Sequence, residues 1–357
     1  MVSKKIKLIV TGGGAPGIAG TIYSLRNNLD RTRFEITTVD ISDNLVGKYL
    51  SDNFYKVPPP EDPSYLSRLR EIVRDKKIGV ILPQTSREIN VLSANHRFFN
   101  ELGAVVVTSS RDSIERANDK YRLVEAAKKI GVPYPNYFLI KTEEELIDSA
   151  KKLGHPSKKI VVKALNGSGM RGLRVVSEEP WDVKRFMTEK PEGIEISLQD
   201  ILKILRTGDF PELLITEYLP GSEYTVDIFR GKNGTVIIPR LREKIRTGIT
   251  FDARIHLRKD LIDYSKRLSA ELDLKYCFGF QFKLDEKEKP KVIESNPRVQ
   301  GTMVASTFAG FNMIYYAVME ALGKPPILND VVIKDGMKFQ RYWGGVANYE
   351  NKFFGKI

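Results

Sequence analysis

The chain has 357 residues, 41% of them hydrophobic, with 57 Lys and Arg against 45 Asp and Glu for a net charge of +12, and one cysteine. Its length exceeds one ordinary core, so two or three globular domains are expected. One cysteine forms no intramolecular disulfide or cysteine metal cage, no stretch approaches the ~18 apolar residues that cross a bilayer, and the basic residues are interspersed with acids rather than blocked, so neither membrane nor nucleic acid is an expected partner.

From the N-terminus, KIKLIV reads as a strand. It is too short for a secretory signal and lacks a small-residue cleavage site, so the expected compartment is the cytoplasm. The turn TGGGAPGIAG follows, then the helix-like IAGTIYSLRNNL, the strand FEITTVD, the amphipathic SYLSRLREIVRDKK and the strand IGVILPQ. Alternation of this kind predicts an α/β fold that begins with a doubly wound, Rossmann-like parallel sheet. Gly12, Gly14 and Gly17 fit G-x-G-x-x-G, and Asp40 ends the second strand where a ribose-binding acid would sit. One functional reading is therefore a nicotinamide-dependent oxidoreductase with pyrophosphate on the helix N-terminus. The competing reading is structural, with the glycines allowing a tight turn and close helix-to-sheet packing.

The texture changes near Ser113. ERANDKYRLVEAAKKIGVPYP predicts a helix stopped by Gly131 and an extended exit forced by two prolines. After the helix EEELIDSAKKLG comes KIVVKAL, the loop NGSGMRG and the strand LRVVS, a hairpin with a glycine-rich tip rather than a P-loop, which would continue into a helix. Residues 180 to 213 read as a polar helical insert, and a strand-rich region follows. Cys277 lies in the aromatic strand YCFGFQFKL, where a buried structural thiol is expected.

DEKEKP turns that strand back into PKVIESN. Side chains alternate along a strand, so Glu294 and Asn296 share a face, and pairing about the turn sets Gln281 opposite Glu294. Three oxygen ligands without Cys or His favour a hard cation, Mg²⁺ or Mn²⁺, of the kind that bridges protein oxygens to nucleotide phosphates. Lys163, just before the glycine hairpin, is placed to meet phosphate charge.

These motifs, in this order, resemble the ATP-grasp superfamily, and most closely its carbamoyl-phosphate-synthase-like branch of carboxylate-amine ligases. The resemblance implies a Rossmann-like pre-ATP-grasp domain over 1–112, a linker helix and small lid subdomain over 113–215, and a mixed or antiparallel catalytic sheet over 216–357. It implies ATP and Mg²⁺ (or Mn²⁺) as cofactors. By motif, Lys120 and Lys163 correspond to phosphate lysines, Gly167, Ser168 and Gly169 to the lid loop, Glu217, Tyr218 and Leu219 to the adenine hinge, and Glu223 to the ribose contact. Gln281, Glu294 and Asn296 correspond to metal ligands, and Arg298 to the arginine that steadies the transferred phosphate.

The implied reaction activates a small acid as an acyl phosphate and passes it to an amine-type nucleophile. Carbamoyl phosphate synthase has two such halves and this chain one, so a different acid and nucleophile are expected. PRLREKIRTG, read as a strand, sets Arg240, Arg242, Lys244 and Arg246 on one face, and Arg240 and Arg242 are candidate phosphate or carboxylate contacts. The readings set against a ligase are the oxidoreductase and a non-catalytic ATP-binding module. Exposed edges of the first domain make a homodimer a further expectation.

Overall fold

The computed structural model describes residues 5–167, 169–189, 193–342, 344–349 and 352–356. The chain divides into two compact units, the first formed by Met1–Asn118, Tyr224–Gln281 and Ser295–Ile357, and the second by Asp119–Glu223 and Phe282–Glu294. Among the described residues no helix is long and apolar enough to cross a membrane.

The first unit opens with a parallel sheet of strands β1 (Ile6–Thr11), β2 (Phe34–Asp40), β3 (Asn53–Lys56), β4 (Val80–Leu82) and β5 (Val105–Val106), in the order β3-β2-β1-β4-β5. The sequence predicts this doubly wound arrangement. Alternation along β1 explains why both faces are covered: Leu8 and Val10 join one buried cluster, with Ile18, Ile22 and Leu25 of the first helix, while Ile9 joins another, with Leu69, Ile72 and Val73. The helix Tyr65–Lys76 buries Tyr65, Leu69, Ile72 and Val73 at helical spacing, and it stops where Lys77 takes a left-handed φ of 54°.

The second unit holds an antiparallel-rich sheet of β6 (Tyr137–Ile140), β7 (Ile160–Ala164), β8 (Leu173–Val176), β9 (Glu195–Ile196) and β10 (Leu213–Glu217), ordered β6-β10-β7-β8-β9. β7 and β8 form the expected hairpin, with Lys163 opposite Leu173. Leu146 and Ala150 of the helix Glu143–Lys152 pack on the apolar face of this sheet. The helix expected before Gly131 is Lys120–Lys129, and a separate helix, Arg111–Asn118, precedes it. Asp119 separates them because its carboxylate accepts the Arg122 N–H at 2.9 Å, capping the second helix at the residue before Lys120.

The third sheet contains β11 (Glu223–Gly231), β12 (Gly234–Arg246), β13 (Ile249–Ile255), β14 (Tyr276–Leu284), β15 (Pro290–Asn296) and β16 (Lys338–Gln340), ordered β15-β14-β11-β12-β13-β16. The division between units falls within the β14–β15 hairpin, after Gln281 and after Glu294. In the first unit Phe229, Ile238, Ile255 and Cys277 of this sheet pack with Val299, Met303 and Ile314 into the cluster that holds Leu8 and Val10. The thiol of Cys277 is buried as expected.

The four-cation face on β12 does not form. The register against β13 shifts between Arg242 and Lys244 and again between Lys244 and Ile245, which breaks the two-residue alternation; Arg240 and Arg242 are buried while Lys244 and Arg246 are exposed.

Candidate functional site

In the second unit the glycine hairpin and the start of the helix Lys120–Lys129 are tied together. The Lys120 amide donates to the Leu165 carbonyl at 3.2 Å, and its ammonium donates to the Gly167 carbonyl at 2.8 Å. The hairpin closes where the Ala164 N–H meets the Gly172 carbonyl at 2.8 Å, and a Cβ at Gly172, whose φ is +70°, would stand 2.7 Å from that of Ala164. Gly169 also has a positive φ, of +62°. Ser168 lies outside the described residues.

Lys163 and Lys120 are only 8% and 9% exposed. Burial, reinforced by the neighbouring Lys120 and more weakly by Lys283 and opposed by Glu294 and Glu223, pushes the Lys163 amine down to about 8. Burial likewise lowers Lys120, against the pull of Glu294 and Asp119. Two buried ammonium groups that repel one another are costly unless anionic charge offsets them. The second unit therefore brings together four residues singled out by motif, Lys120, Lys163, Glu223 and Glu294, and adds Lys283, which no motif flagged.

Glu217 and Tyr218 begin the candidate hinge. The Glu217 carboxylate accepts from the Asn136 N–H at 2.8 Å and from the Lys291 ammonium at 2.6 Å, and the Lys283 ammonium lies 5.0 Å from the Tyr218 ring centre. Leu219 is buried.

The first unit holds the remaining candidates. Arg298 donates to Ser86 Oγ at 3.1 Å and to Asn296 Oδ1 at 3.1 Å, which fixes Asn296 and the arginine against one another. Gln281 is half-buried on β14. Arg240 is 1% exposed and forms a two-pronged pair with the fully buried Asp227, at 2.7 and 3.3 Å. Arg242 donates to Thr250 Oγ1 at 2.8 Å and to the Gly248 carbonyl at 2.6 Å. Both arginines brace the sheet through these bonds.

Some polar groups of this unit, Arg240 aside, were not singled out in the sequence. The buried Arg240 Nη1, Gln300 Nε2 and both polar atoms of Gln84 have no hydrogen-bond partner among the described residues. Gln84 sits against the glycine turn, since a Cβ at Gly17 would come within 2.9 Å of both Gln84 Nε2 and Gly301 Cα. Arg341 reaches the same stretch, donating to Thr302 Oγ1 at 3.1 Å and to the Gly301 carbonyl, and burial, reinforced by Arg240, lowers its pKa. Gln84 and Gln300 follow strands β4 and β15 next to recognised motifs, but a lone glutamine carries no spacing signal.

The glycine turn is not an open phosphate cradle. Gly12 N–H donates to Glu88 Oε1 at 3.1 Å, Gly13 N–H to the Val39 carbonyl at 3.1 Å, and Gly14 N–H to Asp40 Oδ2 at 2.8 Å. Asp40, the would-be ribose acid, is turned back on its own loop and also accepts from Ser42 N–H at 3.1 Å. Glu88 is held beneath the turn by Thr11 and Thr85 hydroxyls at 2.8 and 2.6 Å. Amides already paired to protein oxygens do not cradle pyrophosphate, so the dinucleotide reading gives way to the structural one.

Residues 209–342 match the family described as ATP-grasp in the biosynthetic pathway with Ter operon, and residues 8–107 match the PylC-like N-terminal domain. The chain is 27% identical over 273 residues to the carbamoyl phosphate synthase large chain of Clostridium acetobutylicum, covering 73% of this chain and 24% of that protein. It is 25% identical over 282 residues to the C-terminal section of the Methanopyrus kandleri large chain, covering 74% and 48%. The chain thus spans less than half the length of these curated relatives. Its fold is similar to N5-carboxyaminoimidazole ribonucleotide synthetase, solved as an ADP complex, with a TM-score of 0.68 at 15% identity over 95% of this chain and 81% of that one. It is also similar to the biotin carboxylase domain of Hydrogenobacter thermophilus 2-oxoglutarate carboxylase, solved with MgADP, ADP and bicarbonate, with a TM-score of 0.68 at 17% identity over 94% and 74%. At such identities the structural likeness speaks for the fold, and the matches together make the chain similar to ATP-grasp proteins over residues 209–342 and to the PylC-like N-terminal domain over residues 8–107.

Proposed function

We propose that the protein is an ATP-dependent, ADP-forming ligase that activates a small acid as its acyl phosphate and joins it to an amine-type nucleophile. The observation that carries this reading is the buried Lys120–Lys163 pair with Glu294 beside it. Two desolvated cations fit a polyphosphate, and a carboxylate within their field fits the hard divalent cation that accompanies it. Mg²⁺ or Mn²⁺ would be held by Glu294, and Gln281 and Asn296 remain ligands by resemblance. The bound metal supplies Lewis acidity to the terminal phosphates.

The chain's own residues position and neutralise. Lys120 and Lys163 offset charge on phosphate oxygens, and because burial holds both in place and the Gly167 carbonyl holds Lys120 they need little reorganisation during transfer. Glu217, Tyr218 and Leu219 line the base and Glu223 meets the ribose. The Gly167–Gly169 loop closes over the phosphates and keeps water from the acyl phosphate. Residues 113–215 act as the lid and 216–357 as the catalytic part. Arg298, anchored by Ser86, steadies the transferred group. For the acid, the partnerless donors of Arg240, Gln300 and Gln84 and the partly desolvated Arg341 fit a small carboxylate.

ADP release, followed across amino acids, small dicarboxylates and amines, tests the reading. The expected result is turnover that needs both an acid and a divalent cation and is abolished in Glu294→Ala with the fold intact. Near-normal turnover in that variant contradicts it.

A further inference from the structure

Lys283 stands out because its position carries an electrostatic cost. It is half-buried on β14 between buried Phe282 and Leu284, so strand alternation turns it to the face opposite theirs. There its ammonium lies 5.0 Å from the centre of the Tyr218 ring and within the electrostatic reach of Lys163, whose pKa it helps to lower. A lysine that served only solubility would extend away from another buried cation. The Tyr218 ring instead attracts it by a cation–π contact, and the local balance around Lys163 becomes Lys120, Lys163 and Lys283 against Glu223 and Glu294.

We propose that Lys283 is a third cationic binding residue of the nucleotide cradle, seated between the hinge and Lys163, where it meets the phosphates nearest the nucleoside. This rests on the nucleotide reading of the second unit given above. Tyr218 keeps the amine aimed, and the flexible four-carbon stem lets it follow phosphate oxygens that Lys163, fixed within β7, cannot reach. Phosphates that stay with the nucleoside carry much the same charge before and during transfer of the terminal group. A contact to them binds ground state and transition state alike, so it acts on KM rather than on kcat.

The test is equilibrium binding of ATP, inorganic tripolyphosphate and adenosine to the wild-type chain, Lys283→Ala and Lys283→Arg, with steady-state ADP release alongside. Loss of one charge-assisted contact is expected to weaken ATP and tripolyphosphate about tenfold in Lys283→Ala. Adenosine affinity should not change, the kinetic loss should fall in KM for ATP, and Lys283→Arg should recover most of it. ATP affinity in Lys283→Ala within twofold of wild type overturns the inference, as does an equal loss for adenosine, which would mark a general disturbance of the hinge. A wild-type chain that binds neither ATP nor tripolyphosphate overturns the nucleotide reading itself, and this inference with it.

Discussion

Burial holds the Lys163 amine at about 8 in the folded chain, with Lys120 adding to the effect, whereas an unfolded lysine titrates near 10.5. Between those values the unfolded chain keeps a proton that the folded chain has released, so this group's contribution makes stability rise with pH through the window. Thermal midpoints of the nucleotide-free protein should therefore climb as pH passes through about 8, and Lys163→Met should flatten that part of the profile; a profile identical in both proteins contradicts the assignment. Polyphosphate restores the proton, so calorimetry in buffers of different ionisation enthalpy should record proton uptake on ATP binding just above this pKa. The Asp227–Arg240 pair sets the opposite kind of test. Burial raises the Asp227 carboxyl pKa, against the pull of Arg240. Removing one partner leaves a buried charge, so Asp227→Ala should cost about 3–5 kcal/mol in denaturant unfolding, while Asp227→Leu with Arg240→Met should recover most of it. A loss below about 1 kcal/mol in Asp227→Ala would mean that Arg240 does not depend on this partner.

At the scale of elements, Asp119 connects helix capping to the site. Its side chain caps the helix whose first residue is Lys120. Asp119→Ala should cost about 1 kcal/mol and raise KM for ATP, and Asp119→Ser should restore both; an unchanged KM would show that the cap does not position the lysine. On β14, a Cβ at Gly279 would come within 1.5 Å of Gln300 Nε2 and 2.5 Å of the Val226 carbonyl. Gly279→Ala should then destabilise by about 1–3 kcal/mol, read by denaturant unfolding, and a neutral effect would mean that Gln300 has room to move. These elements also show what the sequence makes legible. Strands such as Ile6–Thr11 and helices such as Tyr65–Lys76 announce themselves by period, and the Lys163 hairpin by a glycine run between two apolar runs. The partner of Arg240 does not, because Asp227 is brought to it by the β11–β12 register, in which Thr225 pairs with Arg240 and Asp227 with Ile238. The bulges after Arg242 are also silent in sequence, since any residue types satisfy them. Gln84 and Arg341 are brought to the stretch around Gly17 and Gly301 by tertiary packing alone.

At the scale of the molecule, each unit has a distinct chemical character: the second gathers buried lysines from β7 and from the helix Lys120–Lys129 with Glu294 of β15, and the first closes its glycine turn on Glu88, Val39 and Asp40. The Rossmann-like sheet was legible as a fold and misleading as a dinucleotide site, because G-x-G-x-x-G reports a tight turn whether or not its amides remain open. NADH should therefore leave the protein's fluorescence unchanged, and saturable NADH binding lost in Asp40→Ala would reinstate the dinucleotide reading. The most direct measurement is calorimetric titration with MgATP near neutral pH, comparing the wild-type chain with Lys163→Met. The expected result is a single site per chain, weakened by about a hundredfold in the variant. Equal affinity in the two proteins would contradict a triphosphate seated on the buried lysines.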